Sequence, residues 1–264
     1  RLEAFIRTCD SGWSAAQEVA TFGAAPWGQI TIEAGESIAH PWLRRTFELK
    51  SDVSRAEVYV NTPSEYELYV NGRRVGNAVL SPSATDHSKR ARYVTYEIAD
   101  LLEPGPNALG LWLGTGWSLY PQYRIPSRPA TPMVLAQAEI DMPDGKRLRV
   151  VTDESWKTRP SPNTLLGIWD FMHFGGELYD ANKEIPNWCG ANLDDSDWKA
   201  ATLYQPQVIL SAEKVEPNRL VKEVRPVGVE EKSAGVYRVD MGVNFAGWTE
   251  VDLEGKPGDR IEFQ

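Results

Sequence analysis

Gly175-Gly176-Glu177-Leu178-Tyr179-Asp180 sets two carboxylates three residues apart around a tyrosine. The glycine pair ahead of them lets the backbone turn sharply. Glu177 and Asp180 in such a loop could accept hydrogen bonds from sugar hydroxyls or donate oxygens to a calcium ion. They could equally accept backbone N–H groups and brace the loop, or brace a neighbouring domain against it. Calcium needs about six to eight oxygen ligands. No EF-hand-like run is present, so such a site would have to be assembled from distant loops.

Aromatic side chains cluster at two other places. Trp117, Tyr120 and Tyr123 follow Gly114 and Gly116, which open space around the indole. Trp169, Phe171, His173 and Phe174 stand just ahead of the Glu177 loop. A pyranose ring offers C–H faces that stack on such rings, so Trp117, Tyr120, Tyr123 and Trp169 join Glu177 and Asp180 as candidate sugar-binding residues. The alternative is that the aromatics clamp their loops to the body of the domain. His173 could titrate near neutrality, although a lone histidine beside phenylalanines is more often packed than catalytic. Trp13, Trp156 and Trp198 sit in D-x-x-W or S-W contexts at strand ends and read as core plugs.

Other chemistry fails on spacing. Gly114-Thr115-Gly116 lacks the third glycine and the following helix of a dinucleotide site. Ser83, Asp86 and His87 are close in sequence, but a nucleophilic triad is defined by geometry. No Cys/His set has zinc spacing. Cys9 and Cys189 are too few for a disulfide framework and read as free, packed thiols.

The elements that must carry these loops are strands. Tyr66-Glu67-Leu68-Tyr69-Val70 alternates apolar with acidic residues, and Asn71-Gly72 supplies the two positive-φ positions of a type I′ turn. The same rhythm marks strands at Leu43–Leu49, Arg55–Asn61, Glu65–Val70, Arg92–Ile98, Ala108–Leu113, Val134–Ile140 and Arg147–Val151. Helical periodicity is missing, apart from a short turn near Ile98–Leu102. Short strands with turn signals every ten or so residues predict an all-β chain, an antiparallel sandwich or jelly roll. Residues 114–132 and 158–192 break the rhythm and predict long loops, where function on a sandwich is often carried.

Composition narrows the partners. With 28 basic and 37 acidic groups, the net charge of −9 argues against nucleic acid. No apolar run approaches the length of a membrane span. Residues 1–30 lack the basic-then-apolar profile of a secretory signal, and the compartment stays open. Asp10-Ser11-Gly12-Trp13-Ser14-Ala15-Ala16 repeats in Asp195-Ser196-Asp197-Trp198-Lys199-Ala200-Ala201, as if each copy closed a β unit. Residues 1–35 are therefore expected to be the tail of a preceding unit or outer strands. Residues 36–205 should form one sandwich and 206–264 a truncated second one. The sequence is expected to be a piece of a longer protein.

The ordered motifs resemble the amino-terminal region of bacterial α-L-rhamnosidases, glycoside hydrolase family 78. The resemblance runs from about Trp42 to the end. Leu43-Arg44-Arg45-Thr46-Phe47 and Arg55–Val60 look like the family's opening strands, and Asn71-Gly72 with Val75-Gly76 is similar to its NG-x-x-VG hairpin. Leu80-Ser81-Pro82, Thr85-Asp86 and Lys89-Arg90 fit the loop that follows. Gly105–Trp117 resembles its G-x-N-x-(I/L)-G…LG-x-GW segment, and Gly176–Ala181 its GE-x-YDAR motif. Asp194-Asp195-Ser196-Asp197-Trp198 fits the D-D-S-x-W element that closes the domain. Asp240-Met241-Gly242, Asn244 and Gly247-Trp248 are similar to the opening of the family's next sandwich. Asn182 and Val243 depart from the pattern, standing where the family usually has Arg and Gln.

The resemblance implies a galactose-binding-like jelly roll followed by the start of another sandwich. It implies inverting hydrolysis of terminal α-L-rhamnosides by two carboxylates in a downstream (α/α)6 barrel, with a water between acid and base. This chain holds no such barrel, so no catalytic residue is assigned and the segment alone is expected to be inactive. The expected partners are a rhamnose-containing glycan or glycoside and the downstream catalytic domain in cis. No cofactor is required by this reading, with calcium the open alternative. A periplasmic or secreted parent is favoured. The rival readings are an independent carbohydrate-binding module, a purely structural interaction domain, and the accessory domain of a related polysaccharide lyase.

Overall fold

The Asn71-Gly72 turn has φ of 49° and 80°, the mirror-image geometry that only Asn, Asp and Gly adopt readily. In a computed structural model, which describes residues 5–8, 12–15, 38–119, 132–166 and 176–263, this turn is also a latch. The Asn71 amide oxygen accepts the Ala108 N–H at 2.8 Å, and its nitrogen donates to the Leu101 carbonyl at 2.9 Å and to Asn107 Oδ1 at 2.8 Å. Asn107 is fully buried and spends its own amide nitrogen on the Glu103 and Gly105 carbonyls. The asparagines of the NG and G-x-N motifs thus hold each other, with every buried polar group paired.

The chain divides into two compact units, Arg1–Glu36 and Ser37–Gln264. The first contains an antiparallel hairpin of β1 (Phe5–Thr8) and β2 (Gly12–Ala15). The second begins with β3 (Ile38–Leu49), β4 (Arg55–Asn61), β5 (Glu65–Val70) and β6 (Arg73–Arg74). It continues through β7 (Ala91–Glu97), β8 (Gly105–Gly114), β9 (Leu135–Asp141) and β10 (Arg147–Val151). Then come β11 (Lys157–Leu165), β12 (Glu177–Tyr179), β13 (Lys199–Ala200), β14 (Leu210–Ala212), β15 (Gly228–Ser233) and β16 (Val236–Asp240). Among the described residues the helical elements are single 3-10 turns, one of them at Ala99–Leu101 where the sequence predicts a turn.

Two sheets face each other. One runs β10-β9-β4-β7-β14; the other runs β12-β11-β3-β8-β5-β6, with β13 added beside β11. Their inner faces meet in a core of Ala56, Val58 and Val60 from β4, Ala138 and Ile140 from β9, Leu68 and Val70 from β5, and Leu109, Leu111 and Leu113 from β8. Each is an alternate residue, as a one-face-in pleat requires.

The larger sheet is covered on its outer face too. Trp42 of β3, Ala108 of β8, Trp188, Cys189 and Trp198 form a second buried cluster there. That is why β8 is buried almost without interruption rather than alternately. The indole of Trp42 is stacked between Trp188 (5.0 Å between centroids) and Trp198 (6.3 Å). Gly110 of β8 makes the approach possible: a Cβ there would lie 2.3 Å from Cys189 Sγ. Beneath the cluster Arg44, fully buried, pairs with Asp195 and donates to the Gly190 carbonyl at 2.7 Å. Lys157, its cross-strand neighbour, reaches the same carboxylate at 2.6 Å. The D-D-S-x-W element therefore closes the sandwich with one carboxylate and one indole. Trp156 and Trp198 are core, as the sequence predicts, whereas the Trp13 side chain lies outside the described atoms.

Two features differ from the sequence expectation. β11 occupies part of the stretch expected to be loop. Pro160 and Pro162 argue against a strand paired on both edges, and the structure accommodates them by an irregularity between Pro160 and Thr164, opposite His40. The chain also does not leave the first sandwich at residue 206. β14 pairs in parallel with β7, and Val79 N–H donates to the Asn218 carbonyl at 2.9 Å, so residues 209–219 strap the edge of the smaller sheet. Glu213 fastens this strap, accepting from Ser83 Oγ at 2.5 Å and Arg92 at 3.1 Å. Beyond it, β15 and β16 form an antiparallel hairpin whose residues are exposed on both faces.

Candidate functional site

One end of the larger sheet gathers chemistry from five elements. β3 brings His40, β5 brings Glu65, β8 ends in Gly114 beside Thr115, and β12 begins with Glu177. The pairings Glu65↔Gly114, Leu165↔Ile38 and Leu165↔Glu177 bring these strand ends together. A 3-10 turn, Gly116–Leu119, then carries Trp117.

Local sequence explains the arrangement. Gly116 sits at φ +46°, and a Cβ there would meet Glu65 Cγ at 2.7 Å, so glycine lets the turn press against β5. The turn is fixed by its root. The Thr115 carbonyl accepts Ser118 N–H at 3.1 Å and Ser118 Oγ at 2.6 Å, and Ser118 Oγ touches Ser64 Oγ at 3.1 Å. Trp117 remains 51% exposed, an indole offered at the sheet end rather than a core plug.

His40 is 5% exposed. Its Nε2 lies 3.2 Å from Thr115 Oγ1 and accepts the Thr115 N–H at 3.4 Å. Its Nδ1 lies 3.9 Å from Glu177 Oε1. Burial pulls the imidazole below its ordinary value, partly offset by the Glu177 charge. Glu65 is pushed the other way for a carboxyl, upward, first by burial and then by Glu177. Two carboxylates and a buried imidazole thus stand near a half-exposed indole. That set can accept hydrogen bonds from a hydroxylated ring and offer it an apolar face. No group of three or more His, Cys, Asp or Glu side chains that could hold a metal lies among the described residues.

Of the residues singled out from sequence, Trp117 and Glu177 fall at this end. Asp180 does not share their setting. Its N–H donates to the Pro162 carbonyl at 3.0 Å, continuing the β11–β12 register. Its side chain caps the turn Ala181–Lys183, accepting Asn182 N–H at 3.2 Å and Asn182 Nδ2 at 3.0 Å, and pairs with Lys183 at 3.4 Å. These contacts hold its carboxyl below the usual range. Asn182 therefore has work of its own in the cap. Tyr120, Tyr123 and Trp169, with Phe171, His173 and Phe174, lie outside the described residues. Sequence reading missed His40 and Glu65. The one local hint for Glu65 is its parity: it shares with Glu67 and Tyr69 the strand face turned away from the core.

Known proteins resemble this chain throughout. The model of the α-L-rhamnosidase N-terminal domain matches residues 51–222. An α-L-rhamnosidase of Streptomyces avermitilis is 34% identical over 97% of this chain and 24% of its own length. One from Formosa agariphila is 32% identical over 86% of this chain and 24% of its own length. Among solved structures, the S. avermitilis α-L-rhamnosidase complexed with L-rhamnose superposes with a TM-score of 0.69 at 34% identity, over 88% of this chain and 22% of that one. The Dictyoglumus thermophilum α-L-rhamnosidase gives 0.69 at 33% identity, over 78% and 22%. The chain spans about a quarter of the length of the curated relatives it matches.

Proposed function

The chain belongs to the α-L-rhamnosidase N-terminal domain family, and from that premise we propose that it is the non-catalytic β-sandwich region of an enzyme that hydrolyses terminal α-L-rhamnosides. In this reading the acid and base of an inverting reaction belong to another part of the enzyme, acting in cis. The sandwich positions that part and walls the approach to it. In chain order the Arg1–Glu36 unit comes first, the central sandwich runs from Ser37 through the strap to about Arg219, and the stretch holding the β15–β16 hairpin follows.

The observation that carries the proposal is the sheet end. Trp117 is half exposed there, on the turn that follows β8, at the same end of the sheet as Glu65 and Glu177. This favours contact with sugar over a purely structural role, and it keeps the carbohydrate-binding module as a second reading. The S. avermitilis structure contains L-rhamnose, which makes that sugar the first ligand to test. Titration of the labelled chain with L-rhamnose and an α-L-rhamnosyl disaccharide, followed by amide and indole NMR, separates the readings. Millimolar binding with shifts at Trp117, Glu65 and Glu177 that vanish in Trp117→Ala is the expected result. Saturable shifts elsewhere, or none, would remove this end from the glycan-binding surface.

A further inference from the structure

His40 reaches both the end of β8 and the start of β12. Through Nε2 it meets Thr115, whose carbonyl caps the turn carrying Trp117; through Nδ1 it faces Glu177, the first residue of β12. It also lies opposite the β11 irregularity, where its strand faces extra residues instead of one partner. Bulges of this kind re-aim nearby side chains.

We propose that His40 is the positioning residue of this site, a proton-sensitive tie that sets Trp117 through Thr115 and the start of β12 through Glu177. The hydrogen-bond partners fix the tautomer. Nε2 accepts the Thr115 N–H, so the neutral ring carries its proton on Nδ1, toward the Glu177 carboxylate. Adding a proton to Nε2 turns the acceptor into a donor. Thr115 is 1% exposed, so its N–H then loses its partner with no water at hand. The Thr115 hydroxyl must reverse its role, and the root of the Trp117 turn must move. The Glu177 charge pulls in the same direction by favouring the imidazolium. Among the described residues Glu177 on β12 is the charged group whose field reaches His40, and Glu65 on β5 faces that same Glu177. Burial opposes protonation, so the neutral tie holds at neutral pH and the switch lies on the acid side.

This inference concerns how the site is held and needs no sugar to test. The chain is titrated from about pH 8 to pH 4.5, following the His40 ring, the Thr115 amide and the Trp117 indole by NMR. All three should share one midpoint, below the ordinary histidine value of about 6.5. Glu177→Gln should move that common midpoint further down. His40→Gln should leave Trp117 without the transition. If His40→Gln fails to fold, the Glu177→Gln shift decides. A His40 titration that leaves Thr115 and Trp117 unmoved, or a midpoint that Glu177→Gln leaves in place or raises, overturns the proposal.

Discussion

Replacing Asp195 by Ala should strip a buried cation of its counter-charge. Arg44 has no exposed surface in its side chain, so its guanidinium cannot turn to water when the carboxylate is gone. Lys157 can, since its side chain is 37% exposed. Breaking one partner of a buried ion pair costs about 3–5 kcal/mol. Two features place this case at the lower end. Arg44 keeps the Gly190 carbonyl at 2.7 Å and the Leu193 carbonyl at 3.5 Å, and the Asp195 side chain is itself 18% exposed. The expected loss is about 3 kcal/mol, or roughly 6–12 °C in Tm for a domain of this size. Urea denaturation followed by tryptophan fluorescence measures it, because Trp198 packs beside Arg44 at 6.0 Å. The double variant Arg44→Met with Asp195→Ala should recover most of the loss, since the one cation left without its carboxylate, Lys157, can turn to water. A single-variant loss below about 1 kcal/mol, or a double variant as unstable as Asp195→Ala, would refute the buried-cation argument.

Three further outcomes follow from the same geometry. Gly110→Ala should cost roughly 2 kcal/mol in chemical denaturation, because its methyl would overlap Cys189 Sγ and the Trp188 ring, and Cys189→Ala should restore part of it. Asp180→Ala should lower the melting temperature through loss of the cap on the Ala181–Lys183 turn; an unchanged melting temperature would instead free Asp180 for a ligand. Glu65 has its carboxyl raised in the folded chain, so the unfolded chain releases this proton first as pH rises, and stability falls from the unfolded value of about 4.3 upward through the folded one. Glu65→Gln should therefore melt higher than wild type at pH 7, with the advantage fading toward pH 4; equal melting at both pH values would contradict the burial of a charge there.

Much of the sandwich was legible because its signals are local. Arg55–Asn61, Glu65–Val70 and Arg147–Val151 are found with the bounds their alternation suggests, and Asn71-Gly72 makes the turn its chemistry demands. β11 was hidden because Pro160 and Pro162 veto a paired strand until a bulge is allowed for, and bulges are tertiary facts. The strap at 209–219 was hidden for a related reason, since parallel pairing with β7 leaves no short-range pattern. At the site, Trp117 was readable from its flanking glycines and Glu177 from its loop. His40 and Glu65 were not. His40 meets Thr115 across 75 residues of sequence, and nothing in the spacing of either announces the contact. Cross-sheet convergence is set by register, and register follows from the packing of the whole sandwich.

The central claim, that this sandwich serves rhamnoside hydrolysis without performing it, is tested most directly by incubating the purified chain with an aryl α-L-rhamnoside and measuring aglycone release. The account predicts release no faster than the protein-free blank across the pH range in which the chain stays folded. Turnover that survives purification and disappears in Glu177→Gln would place the chemistry in this domain and contradict it.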